Sequence, residues 1–212
     1  MKKKLIFSIL SVAVISVFSF GVTYAYYIAS TSSDIGGETA SGLNTTLTLN
    51  TIYNSTKLVP LDDGLVKTAI TKDTNKCIDK SGYEVCTLYK ITLSNTVNSE
   101  SLYGYVRTAQ STYTTENLKY QIFSSNYTEL TDVLTLSQIA EETIYFKKNS
   151  QLTPITSGGI TTYYLAIWLH DTGENQKEDY SKNFSGYIGF ESMEYHGSDE
   201  GKLEILEEHF NS

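Results

Sequence analysis

The chain has 212 residues, with 16 Lys and Arg against 24 Asp and Glu, a net charge of −8. Once the first 25 residues are set aside, thirteen basic residues face 24 acidic ones, and an acidic chain of that kind without a basic cluster repels phosphate backbones and argues against nucleic-acid binding. A hydrophobic content of 40% with 12% aromatics supplies enough apolar side chain for a real core and argues against a disordered protein.

Lys2, Lys3 and Lys4 precede an uncharged, mostly apolar stretch from Leu5 to Val22, and Thr23-Tyr24-Ala25 puts small residues three and one positions before a cleavage point ahead of Tyr26. In that order the three parts predict a signal peptide over residues 1–25, cleaved after Ala25, with Thr23, Ala25 and Tyr26 as the recognition positions and a signal peptidase as the processing partner. Eighteen apolar residues at about 1.5 Å each also approach the thickness of a bilayer core, so an uncleaved N-terminal anchor is the alternative, and the only expected contact with a membrane. Residues 26–42, which include the small, polar run STSSDIGGETASG, predict a flexible lead-in.

Alternation then begins. Leu43, Thr45, Leu47, Leu49, Thr51 and Tyr53 fall on one side and Asn44, Thr46, Thr48 and Asn50 on the other, the period of a half-buried strand. Leu65–Ile70 predicts a short helix. Cys77 and Cys86 bracket a turn-prone Lys80-Ser81-Gly82, and two cysteines at hairpin distance in an exported chain predict one disulfide. The strand period recurs at Val85, Tyr89, Ile91 and Leu93, at Leu102, Gly104, Val106 and Thr108, and at Leu118, Tyr120 and Ile122. Tyr103 and Tyr105 alternate with the first of those later sets and are expected to be exposed.

Leu134–Glu142 predicts a second short helix opening on Ser137. Ile144–Phe146 is a short strand, and Tyr163–Leu169, apolar on both faces, a strand central to a sheet. Phe184, Gly186, Ile188 and Phe190 form the last alternating set. The acidic tail, residues 194–212, predicts a surface helix with Leu203, Leu206 and Phe210 on one face, or a helix that docks on a partner. With 27 Thr and 17 Tyr, the composition favours pleated surfaces over helices. The expected fold is all-β: an antiparallel β-sandwich of jelly-roll type over residues 43–193, with one or two short helices, preceded by the signal helix.

Chemistry is sparse. His170, His196 and His209 fit no zinc motif, no G-x-S-x-G elbow or phosphate-binding loop is present, and both cysteines are used. No catalytic residue, metal site or cofactor is therefore expected, and the protein is not expected to be an enzyme. The acidic run from Asp171 to Asp179 is a loop that extracellular calcium would test, although Lys177 lies within it and its spacing is not that of an EF-hand.

The signal end Gly21-Val22-Thr23-Tyr24-Ala25-Tyr26-Tyr27 resembles that of the TasA/camelysin family of Gram-positive surface and biofilm-matrix proteins. Thr45–Leu49 is similar to the family's first mature strand, and Tyr89-Lys90-Ile91-Thr92-Leu93-Ser94-Asn95 to its Y-x-F/I-x-V-x-N strand. Tyr164–Leu169, Asp171–Gln176 and Phe184-Ser185-Gly186 resemble its late strand pair. The resemblance implies a secreted jelly roll that stays at the cell surface or assembles into extracellular fibres, with self-assembly or other surface proteins as partners. In such fibres the freed N-terminal segment completes a neighbour's sheet by backbone pairing. A membrane-anchored adhesin or carbohydrate-binding module is the alternative, since exposed tyrosines stack on sugars.

Overall fold

Twenty-six residues, Cys86–Ser111, run as one strand (β3) around which the rest of the sheet is organised. The computed structural model describes residues 38–41, 45–55, 58–72, 76–179, 181–192 and 206–211. The expected signal peptide, with Thr23, Ala25 and Tyr26, lies outside the described residues. Over its first half β3 is flanked by β2 (Thr45–Tyr53) and β9 (Pro154–Leu169); over its second half it pairs with β10 (Phe184–Ser192) and with β6 (Thr143–Tyr145). Beyond β2 lies β1 (Glu38–Ser41), beyond β9 lie β4 (Leu118–Ser124) and β5 (Leu134–Thr135), and beyond β10 lies β11 (Leu206–Asn211). Every pairing between these strands is antiparallel.

Between its halves β3 changes which side chains face inward. Tyr89, Ile91 and Leu93 enter the main core from the first half, but Leu102 and Val106 enter it from the second. The switch from odd to even positions follows from a register break against β9, where Asn95 faces Gly159 and Glu100 faces Ser157. Four residues on β3 oppose a single one on β9, so the strand gains a local twist and re-aims its faces. The two halves then face one another across the core, with the Tyr89 and Phe210 rings 5.4 Å apart and the Tyr120 and Phe146 rings 6.4 Å apart. The result is a mostly β fold, broadly that of a β-sandwich, with one short helix among the described residues.

The outer face of the first half carries a second core. Helix α1 (Val66–Lys72) follows a single 3-10 turn in which the Asp62 carboxylate accepts from the Gly64 amide at 2.8 Å. Its Val66, Ala69 and Ile70, spaced i, i+3 and i+4, are buried against Leu88, Phe123, Ala166 and Trp168 of the sheet. The Cys77–Cys86 disulfide, with Cα atoms 5.2 Å apart, closes a hairpin on the same face. Asp79 organises that turn by accepting from the Ser81 and Tyr83 amides at 2.8 Å each, and Gly82 takes the left-handed conformation with φ 87°. Because α1 and the hairpin cover one face while the main core covers the other, Leu165–Leu169 is buried throughout. That is the environment its two-sided apolar pattern predicts.

Three expectations are corrected. Leu134–Glu142 is not a helix: Leu134 and Thr135 pair with Tyr120 and Lys119, and the Leu136 amide donates to the Leu118 carbonyl at 2.9 Å. The remainder is a turn in which Glu141 has φ 65°; its amide donates to the Thr108 carbonyl at 2.7 Å, and the Thr108 amide donates to the Glu142 carbonyl at 3.0 Å. A helix this short carries its nucleation cost over few hydrogen bonds, so pairing with an existing sheet wins. Nor are the described residues of the tail helical, Leu203 lying outside them. Leu206–Asn211 is an edge strand whose Phe210 reaches the main core. Tyr105, expected at the surface, is only 4% exposed, because its ring lies over Gly189 on β10. Strands β1 and β11, from the stretches on either side of residues 43–193, pair within the same sheet.

Two strands too short for the sequence pattern to register, β7 (Lys147–Lys148) and β8 (Gln151–Leu152), form a separate hairpin. Its turn residues Asn149 and Ser150 both have positive φ, the geometry a two-residue hairpin connection prefers.

Candidate functional site

The chain's single arginine, Arg107, stands on the outward face of β3. It reaches across β10 to β11, where Nε donates to Glu207 Oε1 at 2.9 Å and Nη2 to Glu207 Oε2 at 2.6 Å, a two-pronged grip that fixes orientation as well as charge. Nη1 pairs with Glu141 of the preceding turn. The guanidinium lies 4.4 Å from the centroid of Tyr187 on β10, and the Tyr187 ring meets His209 of β11 edge-on at 5.0 Å. Tyr105 joins from the other side, its hydroxyl donating to Glu207 Oε1 at 2.7 Å.

Gly189 makes that last contact possible. It sits between Tyr105 and Glu207 in the register, and a Cβ there would stand 2.2 Å from the Tyr105 ring. Burial pushes the Glu207 carboxyl up, but the Arg107 and Tyr105 donors outweigh it, and the group lies below its ordinary 4.5. Burial first, and the Glu207 hydrogen bond second, push the Tyr105 phenol far above its ordinary range.

On the opposite side of the molecule, Tyr164 of β9 stacks on Tyr127 with ring centroids 4.8 Å apart and planes 11° from parallel. Tyr127 holds φ 59°, a conformation a bulky residue rarely takes. The tight loop before β4's partner strand enforces it: the Tyr127 amide donates to the Ser124 carbonyl and the Thr128 amide to Ser124 Oγ. Both rings are half-buried against the outer core, leaving aromatic surface at the rim.

Of the residues singled out in the sequence, Cys77 and Cys86 are brought together as a disulfide. His170 pairs with Asp63 at 2.9 Å, and the same Asp63 oxygen accepts from Trp168 Nε1 at 2.8 Å, which ties the α1 entry to the end of β9. His209 lies on Tyr187, and His196 is outside the described residues. The acidic run does not converge on one point. Asp171 accepts from the Gly173 amide at 2.9 Å, whereas Asp179 is buried, taking donors from Thr115, Asn117 and Gln176. Among the described residues no three His, Cys, Asp or Glu side chains gather as a metal site would require.

The Arg107 cluster escapes sequence reasoning because its central pair, Arg107 and Glu207, lies a hundred residues apart. A lone arginine on a predicted strand, facing an acidic tail, is the one signal that could have found it.

No family model matches the chain, and no curated protein does. Among the solved structures similar to the chain, two are similar at low scores. One is of AvmM, described as catalysing macrocyclization in alchivemycin A biosynthesis, with 9% identity over 59% of this chain and 79% of that one and a TM-score of 0.30. The other is a PA14 sugar-binding domain from an RTX adhesin, with 16% identity over 87% of this chain and 94% of that one and a TM-score of 0.29. At those scores neither carries a fold or a function over to this chain.

Proposed function

We propose that this is an exported, non-catalytic structural protein of the cell surface or extracellular matrix, released after Ala25 by a signal peptidase and assembled by strand donation. The observation that carries the reading is β1. Glu38–Ser41, from the stretch expected to be a flexible lead-in, is the outermost strand beside β2 and pairs with it over four positions, Glu38 with Leu49 through Ser41 with Thr46. A four-residue strand paired with one strand among the described residues contributes little cooperativity, so the same backbone bonds are available to the corresponding segment of another copy. Leu47 and Leu49 of β2 are buried, which keeps the accepting edge in register while the donor changes. The same reading takes the fold as a jelly roll and the protein as a relative of the TasA/camelysin proteins it resembles in sequence.

The test is removal of residues 26–42. Light scattering of the purified chain should show concentration-dependent growth that the deletion abolishes, and growth unchanged by the deletion would overturn the proposal.

The stacked Tyr127–Tyr164 pair favours a second reading, a saccharide-binding surface module, because a parallel aromatic platform at the surface suits the apolar face of a sugar ring. On a glycan array, binding by monomeric protein that is lost in Tyr127→Ala would select this reading over assembly.

A further inference from the structure

The strand β11 has the properties of a ligand bound to its own domain. It lies at an edge with β10 as its only paired strand among the described residues. It is anchored at two points, the Phe210 ring against Tyr89 and Phe184, and the Glu207 carboxylate in the grip of Arg107 and Tyr105. Both anchors belong to the body of the sheet. The thirteen residues 193–205 separate it from the end of β10, although a two-residue turn suffices to join antiparallel neighbours. Fully extended, thirteen residues reach roughly 40 Å.

We infer that β11 is an exchangeable strand, and that the groove formed by the β10 edge, Arg107 and the Tyr89–Phe184 cleft accepts β11 from a second copy of this chain. Charge decides the occupant. An acidic-aromatic strand is required, with a carboxylate two positions from the Arg107 row and a ring three positions further on, and Glu207 and Phe210 of this same chain supply both. The register is set by Gly186 and Gly189, which are opposite Phe210 and Glu207 and leave room for the anchoring side chains to cross. Within one molecule the tether gives β11 a high effective concentration, so closure on its own body dominates in dilute solution and exchange gains as copies crowd together. β11 also lies against β1 and β2, so the variants below change only the Arg107–Glu207 pair and leave β1 in place.

A charge reversal split between two chains tests it. Arg107→Glu and Glu207→Arg each place like charges against one another within a molecule, and the double variant restores an opposite pair. Exchange between one single variant and the other restores both pairs, one in wild-type and one in reversed polarity. After co-incubation of the purified chains at high concentration, light scattering coupled to size exclusion should show the mass doubled for the mixture, and not for either variant alone or for the double variant. If both variants retain their sheet by circular dichroism and the mixture keeps the mass of a single chain, the inference is wrong. Should either variant fail to fold alone, the two are co-expressed with different tags. Recovery of a folded one-to-one pair supports exchange, and failure to recover one while the double variant folds overturns it.

Discussion

Glycine does specific work where strands carry aromatic neighbours. At Gly104 a Cβ would stand 2.2 Å from the Phe146 ring, and at Gly189 equally close to that of Tyr105. Both rings are fixed, Phe146 between Tyr120 and Phe190 and Tyr105 by Glu207. Gly104→Ala should therefore overpack the core and destabilise by about 1–3 kcal/mol, measured as a lower urea midpoint at unchanged slope. Removing the disulfide acts differently, through the unfolded chain. Cys77→Ser with Cys86→Ser should cost about 2–3 kcal/mol by loop-closure entropy while the folded hairpin is retained by Asp79 and Gly82. A loss well below 1 kcal/mol in the same urea titration would show that the hairpin is equally constrained when reduced.

At the scale of an element, β11 depends on one carboxylate. The Glu207 carboxyl lies below its ordinary 4.5 in the folded chain, so it binds a proton less readily there than in the unfolded one. Its contribution to stability is complete above that ordinary value and fades as pH falls through the lowered one. Thermal melts of the wild type should lose stability as pH drops below about 4.5, and Glu207→Gln should be less stable at neutral pH with a shallower acid limb. An acid limb equally steep in the variant would locate the effect in other carboxylates. The helix α1 is the contrasting element. Its face is short but fully buried, and Ile70→Ala should cost about 2–4 kcal/mol by leaving a cavity in the cluster that includes Trp168.

For the whole molecule, tyrosine sets the alkaline limit. Burial, with the Glu84 carboxylate second, pushes Tyr53 up to about 12; burial, with the Glu191 hydrogen bond second, does the same at Tyr145. Burial alone raises Tyr120 further, and Tyr113 is raised by burial and by Asp179. A phenol that ionises later in the folded chain than in the unfolded one contributes stability that is complete below its ordinary 10.0 and is lost as pH rises through the folded value. The fold should therefore weaken steeply between pH 10 and 12, and an ultraviolet titration at 25 °C should show one group of tyrosines ionising near 10 and a second released together with loss of sheet structure. A single smooth titration of all the tyrosines near 10, with the sheet intact, would contradict the burial described above.

How much of this was legible in the sequence depends on the range of the interaction concerned. The alternating sets at Leu47–Leu49, Tyr89–Leu93, Leu118–Ile122 and Phe184–Phe190, the helix after Asp62, the two-sided burial of Leu165–Leu169 and the Cys77–Cys86 bridge all follow from periodicity, turn chemistry or spacing, which are local. Leu134–Leu136 and Leu206–Phe210 have apolar residues at spacings that suit one turn of helix as well as a strand, and in each case a free sheet edge decided the outcome. The Arg107–Glu207 grip, the burial of Tyr105 over Gly189 and the reversal of inward positions along β3 belong to tertiary structure alone. Each depends on which strand lies beside which, and pairing between segments a hundred residues apart leaves no mark in the local order of the chain.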